Sequence, residues 1–344
     1  KEMKKTDKTV AELEIEFQHT FEWSRILEQD KALQPLYGPG YTGLENLGNS
    51  CYMASVMQVL FTIPEFINRY YKEADRFFER TANPPKDYFV QMGKLAKGLL
   101  SGDHSKPPKQ SQTAEFPEYD ENCVRPFSFK RLIGEGHKEF ASNRQQDALE
   151  FFQYFMQLIK RAEKAIGEGQ DPSLIFQFQI EEKVQCTSSL KVKYSYRDEN
   201  VLSLPIPLHK AVNKEEVAAQ KASENQSDAV KPRVLLQDCI EAFAQSEQVD
   251  DFYSTAINGR TTAIKSTRLA TFPKYLMVQL RKFTLDGWVP KKLDVFVDVP
   301  DEIDLELLRA SGQQPGEELL PEEAPAQESS GPSSYNTIHY FLSL

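Results

Sequence analysis

The spacing of apolar side chains changes once along this chain, and the change limits the folds that are open to it. From about residue 36 to about residue 165, apolar residues recur every three or four positions, the spacing of helices with one buried face. Beyond residue 175 they alternate with polar residues, as at Phe176, Phe178 and Ile180, which is typical of half-buried strands. Helices that precede strands in this way predict an α+β fold.

Cys51 stands where a polar, glycine-containing run passes into one of these predicted helices. The apolar residues after it recur at i, i+3, i+4 and i+7, and they are Met53, Val56, Met57 and Leu60. The sequence therefore predicts that a helix begins at Cys51. Unpaired backbone N–H groups and the positive end of the helix dipole stabilise a thiolate at such a position, and the thiolate is the nucleophilic form of cysteine.

Asn46 lies five residues before Cys51. Its side-chain amide is a suitable donor to the negative oxygen that forms when a thiolate attacks a carbonyl group. Isolated cysteine and asparagine residues more often have other roles, because cysteine packs as a small buried side chain and asparagine favours turns. Taken alone, the two residues leave both interpretations open.

A second polar cluster, NRQQD, occupies residues 143–147. It precedes apolar residues that would share one helix face, namely Ala148, Phe151, Phe152, Phe155 and Ile159. Ser142 or Asn143 is the predicted N-cap of that helix. A polar cluster at a helix start is most simply a set of capping residues.

The two segments resemble the signatures of one protein family. GLENLGNSCYMASVMQVLF, at 43–61, is similar to the cysteine box of the ubiquitin-specific proteases, and NRQQDALEFF, at 143–152, is similar to their second signature. The resemblance implies that Cys51 is the catalytic nucleophile and that Asn46 contributes to the oxyanion hole. It also implies that Gln145 and Asp147 bind the extended C-terminal tail of ubiquitin, whose backbone N–H and C=O groups need partners once they leave water.

Further segments extend the similarity over most of residues 36–305, and they are LSLPIPL, YLMVQLRKF and WVPKKLDVFVDVP. KGLLSGDHSKP and EQVDDFYSTA resemble most closely the isopeptidase T branch of the family, which disassembles unanchored polyubiquitin. The resemblance implies a papain-like α+β fold with a helical thumb and a β palm and fingers. The implied activity is thiol-dependent hydrolysis at the C-terminal glycine of ubiquitin, with ubiquitin and polyubiquitin as partners.

The charge balance of the chain disfavours two classes of partner. Its 344 residues carry a net charge of −10, which repels nucleic acid and anionic membrane surfaces. No apolar run is long enough to span a bilayer. The four cysteines, at positions 51, 123, 186 and 239, form no close pair. The sequence therefore predicts neither a disulfide framework nor a CxxC metal site, and we expect a reducing cytoplasmic or nuclear setting.

Two features of the family are not recognisable in the sequence. Many members hold zinc with two CxxC pairs at the tips of the fingers, whereas Cys186 and Cys239 each stand alone, so we predict no zinc and no other cofactor. The family's general base is a histidine in a Gly-His-Tyr strand that is followed by an Asp or Asn. His339 precedes Tyr340, but Ile338 stands where the glycine is expected. An alternative function is therefore that of a ubiquitin-binding fragment with impaired catalysis.

We expect three parts in the chain. Residues 1–35 are predicted to be a helical lead-in, and residues 36–305 an incomplete catalytic domain with a mobile insertion at about 209–233. Residues 306–344 are acidic and rich in Pro and Ser, which is typical of a linker and tail. Because position 1 is Lys rather than Met, we expect the chain to begin inside a longer polypeptide.

Overall fold

The structure, a computed structural model, describes residues 36–107, 123–167, 169, 171–222, 230–286, 289–321 and 339–342. It forms two compact units, residues 1–172 and residues 173–344. The predicted change from helices to strands coincides with the boundary between the units. The predicted lead-in at 1–35 lies outside the described residues. Within the described part, no helix is both long enough and apolar enough to cross a membrane.

The first unit is mainly helical. Its helices are α1 (Cys51–Leu60), α2 (Ala74–Arg80), α3 (Tyr88–Leu100), α4 (Phe127–Gly134) and α5 (Ala148–Ile166). Shorter helical segments are Pro64–Phe66, a π-helix at Ile67–Lys72 and a 3₁₀ turn at Pro84–Lys86. Two short strands, β1 (Gly43–Leu44) and β2 (Cys123–Val124), pair in parallel. Buried aromatic rings dominate the interior, among them Phe66, Phe77, Phe140, Phe152 and Phe155.

The sequence of α5 explains both of its ends. Its buried face consists of Phe151, Phe152, Phe155, Met156, Ile159 and Glu163. Asp147 is the N-cap, because its side chain accepts hydrogen bonds from two backbone N–H groups of the first turn, at 2.7 and 3.1 Å. Gly167 ends the helix with a φ of 65°, a left-handed conformation that glycine adopts without strain. The prediction of Ser142 or Asn143 as the N-cap is therefore wrong.

A buried ion pair joins α5 to the π-helix. Arg69 and Glu163 are 4% and 6% exposed, and Arg69 donates to the carboxylate from Nε at 3.0 and 3.2 Å and from Nη2 at 2.7 Å. Tyr70 donates its hydroxyl to the same carboxylate at 2.9 Å, and Nη1 of Arg69 reaches Glu73 at 2.8 Å. Gly169 lies against the guanidinium, where a Cβ would be 3.0 Å from Nη1. These hydrogen bonds compensate both charges for their loss of water.

The second unit consists mainly of strands. They are β3 (Phe178–Cys186), β4 (Val192–Glu199), β5 (Leu202–Leu204), β6 (Arg233–Leu235), β7 (Glu247–Ser254), β8 (Gly259–Leu269), β9 (Tyr275–Leu280), β10 (Phe283–Asp286), β11 (Val289–Lys292), β12 (Phe296–Asp298) and β13 (His339–Leu342). Its helices are α6 (Lys214–Ala222) and α7 (Leu236–Ala244), with 3₁₀ turns at Leu208–Lys210 and Glu306–Leu308. The unit is therefore a β-rich body with few helices.

The strands of this unit form two main sheets. Four strands pair antiparallel in the order β4-β3-β8-β7, and three pair in parallel in the order β13-β9-β5. Two further pairs are the hairpin β10–β11 and the parallel pair β6–β12. An apolar cluster packs α7 with strands of both main sheets, and it includes Ile180, Ile240, Leu269, Leu276 and Val278. The strand expected from the alternation of Phe176, Phe178 and Ile180 is confirmed for Phe178 and Ile180, which are buried in β3, whereas Phe176 ends a 3₁₀ turn before the strand.

Residues 306–321, called the returning segment below, differ from the predicted linker. Leu308 and Leu320 are buried, Arg309 forms a bridge with Leu269 of β8, and Leu319 forms one with Val192 of β4. Lys183 of β3 makes an ion pair with Glu317. The Glu- and Pro-rich composition suggested a solvated linker, but a few apolar side chains and one paired acid hold this segment to the four-stranded sheet.

The insertion expected at about 209–233 is also partly ordered. It contains α6, and the Val212 N–H donates to the Arg233 carbonyl at 2.8 Å. The Asn213 side chain donates to the Lys231 carbonyl at 3.0 Å, which joins the two ends of the insertion. Residues 223–229 lie outside the described part, so the prediction of mobility remains a prediction there.

Candidate active site

Short strands and a tight turn shape the loop that leads into α1. The Glu45 N–H donates to the Val124 carbonyl at 2.9 Å, which fixes the start of the loop beside β2. Gly48 and Asn49 then adopt φ values of 86° and 56°. Such left-handed residues reverse the chain, and asparagine is among the few non-glycine residues that tolerate this conformation. The turn delivers Cys51 to the first position of α1.

Cys51 is exposed and begins α1, as the apolar spacing predicted. Met53, Met57 and Leu60 anchor the helix on its buried face. Within the described residues of this unit, the thiol makes no hydrogen bond. An exposed sulfur at the start of an anchored helix is directed by the helix while remaining open to an incoming carbonyl group.

Tyr52 fixes the start of α1 against the neighbouring helix. Its ring lies 5.3 Å from Phe151, edge to face, and 5.8 Å from Phe140. Burial raises the pKa of Tyr52, and its electrostatic interaction with the adjacent Cys51 raises it further. The hydroxyl therefore stays neutral, and the role of Tyr52 is to hold the backbone that carries Cys51.

Asn46 is held with its amide in a defined orientation. Its Oδ1 accepts hydrogen bonds from the backbone N–H of Ser50 at 3.0 Å and from the Ser50 hydroxyl at 3.2 Å. The Ser50 hydroxyl itself accepts from the Leu47 N–H at 2.9 Å. Because the oxygen is committed, the Nδ2 hydrogens of Asn46 are the donors that remain for a ligand. Sequence reasoning missed Ser50, although its place directly before the predicted helix start was a signal.

The loop that carries Gln145 and Asp147 lies beside the loop that carries Cys51. The Asn49 amide donates to the Asn143 carbonyl at 2.8 Å, and this contact joins residues that are 94 positions apart. Asp147 uses Oδ1 to cap α5, so the capping interpretation of this cluster is confirmed for Asp147. Both Gln145 and Asp147 are exposed. Their binding of a peptide tail remains a prediction.

The histidines that the structure describes in this unit do not lie in the environment that a catalytic base needs. His137 stacks on Phe140 with ring centroids 4.2 Å apart, and its Nδ1 accepts the Phe140 N–H at 3.3 Å. His104 is exposed in a turn. In the second unit, His339 begins β13 and pairs with Tyr275, but its side chain lies outside what the structure describes. The general base is therefore not assigned by these contacts.

The residues present do not fit the zinc site that many family members have. Among the described residues, no group of three or more His, Cys, Asp or Glu side chains converges. Cys186 ends β3, where burial opposes its charge but hydrogen bonding lowers its pKa to about 7; the Ser189 backbone N–H donates to its sulfur at 3.4 Å. Cys239 is buried in α7, and burial raises its pKa to about 11. Tetrahedral zinc requires four ligands, and within the described residues neither Cys186 nor Cys239 belongs to a group that supplies even three.

Comparisons with known proteins identify the family of the chain. A family model described as "Ubiquitin carboxyl-terminal hydrolase" matches residues 42–336. Human "Ubiquitin carboxyl-terminal hydrolase 5" is 45% identical over 337 residues, covering 94% of this chain and 39% of that relative. "Ubiquitin carboxyl-terminal hydrolase 14" of Arabidopsis thaliana is 46% identical over 340 residues, covering 94% and 42%. The chain thus spans about two fifths of the length of these relatives.

A solved structure shows the same fold. The "SAGA Ubp8/Sgf11/Sus1/Sgf73 DUB module bound to ubiquitin aldehyde" aligns with a TM-score of 0.58 at 18% identity, covering 90% of this chain and 61% of that one. The α+β fold of the ubiquitin-specific proteases, implied by the resemblance, is therefore confirmed.

Proposed function

The chain belongs to the ubiquitin carboxyl-terminal hydrolase family, and on that premise we propose that it carries the active-site nucleophile of a cysteine-type deubiquitinase. The bond that it cleaves is the peptide or isopeptide bond at the C-terminal glycine of ubiquitin. The similarity to the isopeptidase T branch adds polyubiquitin, unanchored chains in particular, as the substrate class.

The chemistry follows from the two residues at the start of α1. The Cys51 sulfur bonds to the carbonyl carbon of the terminal glycine, and the carbonyl oxygen gains a negative charge to which Asn46 donates from Nδ2. The C–N bond then breaks, the amine leaves with a proton, and water hydrolyses the thioester to release ubiquitin and the free thiol. A proton acceptor is also required, and removing one typically slows such reactions about 10²–10⁴-fold.

The orientation of Asn46 is the observation that carries the proposal. Ser50 donates twice to the Asn46 side-chain oxygen, which leaves only the Nδ2 donors for a ligand. Donors that are fixed before the reaction stabilise charge that develops in the transition state.

Ubiquitin whose C-terminal carboxyl group is replaced by a vinyl methyl ester tests the proposal. The expected product is a single adduct at Cys51, found by intact mass and peptide mapping. The Cys51→Ala chain should form no adduct while it binds ubiquitin as before. Cys123→Ala is the matched control and should label at the unmodified rate. Adducts at another cysteine, or on the Cys51→Ala chain, would show that Cys51 is not the nucleophile.

A fluorogenic amide of ubiquitin separates an active enzyme from the impaired fragment. Labelling of Cys51 without hydrolysis of the amide is the result expected of a fragment that lacks its base. Hydrolysis that is lost in the His339→Ala chain would assign the base to His339. The amide assay does not test which residue is the nucleophile, because the labelling experiment alone decides that.

A further inference from the structure

Two exposed loops at the first unit's helix starts must keep a fixed spacing for the proposed reaction. One carries Asn46 and Cys51, and the other carries Gln145 and Asp147. The bodies of α1 and α5 are joined by Tyr52 and Phe151, whose rings are 5.3 Å apart. The loops themselves contribute few buried side chains, so packing of the helices alone does not fix them.

Asn49 provides a direct link between the loops. Its Nδ2 donates to the Asn143 carbonyl at 2.8 Å. Asn49 lies two residues before Cys51, and Asn143 lies two residues before Gln145. The hydrogen bond between the loops therefore lies two residues from Cys51 on one side and two residues from Gln145 on the other. A shift of one loop reaches the functional residue of the other loop through only two peptide units.

Lys130 of α4 holds the second loop from its other side. Its Nζ donates to the Asn143 side-chain oxygen at 2.8 Å and to the Ser142 carbonyl at 3.1 Å. Burial lowers the pKa of Lys130, because the surrounding protein partly excludes water from its ammonium group. Asn143 is thus bound through its side chain to α4 and through its carbonyl to the Cys51 loop.

We propose that Lys130, Asn143 and Asn49, called the loop bridge here, position the ubiquitin tail against Cys51. The inference rests on the proposed function, and it adds Asn49 and Lys130 as positioning residues that touch neither the scissile bond nor the sulfur. A tail bound by the second loop meets the nucleophile only if both loops keep their spacing, and displacements near 1 Å cost about 100-fold in rate in such reactions.

The test measures how fast the ubiquitin vinyl methyl ester labels Cys51, as a maximal rate and as a half-saturating concentration. Asn49→Gly removes the link and tolerates the positive φ, so its maximal rate should fall about three- to tenfold, the loss expected for one hydrogen bond. Lys130→Met should have a similar effect, and Lys130→Arg should restore most of the rate. Lys138→Met, at an exposed lysine of the same unit, should label like the unmodified chain.

Three further readouts separate positioning from general damage. Alkylation of Cys51 by iodoacetamide, the half-saturating ubiquitin concentration and the melting temperature should all stay unchanged in Asn49→Gly. The double variant Asn49→Gly/Lys130→Met should label no more slowly than the slower single variant, because both act through Asn143. Effects that multiply in the double variant would overturn the bridge.

The proposed function and the loop bridge fail differently in this experiment. If the unmodified chain is not labelled at Cys51, the proposed function is wrong and the bridge falls with it. If the unmodified chain is labelled and Asn49→Gly matches its maximal rate, the bridge alone is wrong. A lower rate that is accompanied by slower iodoacetamide alkylation also counts against the bridge, because it shows an altered thiol.

Discussion

The buried pair of Arg69 and Glu163 should respond very differently to the loss of one charge and of both. Arg69→Met keeps much of the side-chain volume but leaves the Glu163 carboxylate with the Tyr70 hydroxyl, at 2.9 Å, as a neutral partner. Glu163→Leu leaves the guanidinium with Glu73 at 2.8 Å. Arg69→Met therefore buries a carboxylate that has lost its opposite charge, whereas Glu163→Leu removes the buried partner of a guanidinium that still pairs with Glu73.

The structure sets the size of these effects. Removing one partner of a buried ion pair costs about 3–5 kcal/mol, and exposures of 4% and 6% place this pair in that class. In the double variant no buried charge remains, and the Tyr70 hydroxyl keeps the Tyr88 hydroxyl at 3.3 Å. The double variant should lose only about 1–3 kcal/mol, the cost of imperfect packing and of the lost hydrogen bonds to Tyr70 and Glu73.

Hydrogen exchange measured by mass spectrometry provides the free energies locally. Peptides from α5 and the π-helix should lose protection in both single variants, while peptides from β3 and β8 serve as an internal reference. Asp75→Asn is the matched control, since Lys97 and Asp75 pair at 3.2 Å with side chains 37% and 76% exposed. It should cost less than about 0.5 kcal/mol. A double variant that loses the sum of the two single losses would refute this reasoning.

Two other predictions concern the second unit. Burial opposes the charge of Glu317, but the Gln314 N–H and Lys183 lower its pKa to about 2, and its side chain is 16% exposed. Because the folded-state pKa is below the unfolded value, Glu317 should contribute about 1–3 kcal/mol of stability above pH 4.5 and lose it as the pH falls towards 2. The difference in urea midpoint between the unmodified chain and Glu317→Gln should therefore disappear over that pH range. A difference that is independent of pH would contradict the assignment. Chelation by EDTA should leave the melting temperature of the chain unchanged, because the donors near Cys186 do not form a zinc site. If the purified chain instead contains one equivalent of zinc and unfolds when EDTA removes it, this prediction is wrong.

The sequence predicted those parts of the fold and site that depend on local spacing. The start of α1 at Cys51 follows from apolar residues three and four positions apart, and the alternation at Phe178 and Ile180 predicts β3. The N-cap of α5 was mispredicted because several capping residues occur in a row. Lys130 binds the Ser142 carbonyl and the Asn143 side chain, so these residues lie in the loop and Asp147 is left to cap the helix.

Contacts between distant residues were beyond the reach of that reasoning. Arg69 and Glu163 are 94 positions apart, and nothing in either local sequence indicates the other. Similarly, the acidic composition around Glu317 is that of a linker until Lys183, 134 positions earlier, is placed beside it. Ionic and polar pairs of this kind depend on the tertiary fold, which apolar periodicity does not specify.

The returning segment has a consequence for the order of events during synthesis. The Val192 strand leaves the ribosome long before Leu319, its partner, has been translated. At about 5–20 residues per second, the delay is on the order of ten seconds. During that time the four-stranded sheet lacks the returning segment that packs against it. Contacts between residues so far apart in sequence slow folding. Nascent chains paused before residue 306 should therefore expose apolar sheet surface to chaperones, whereas chains paused beyond residue 321 should have covered it.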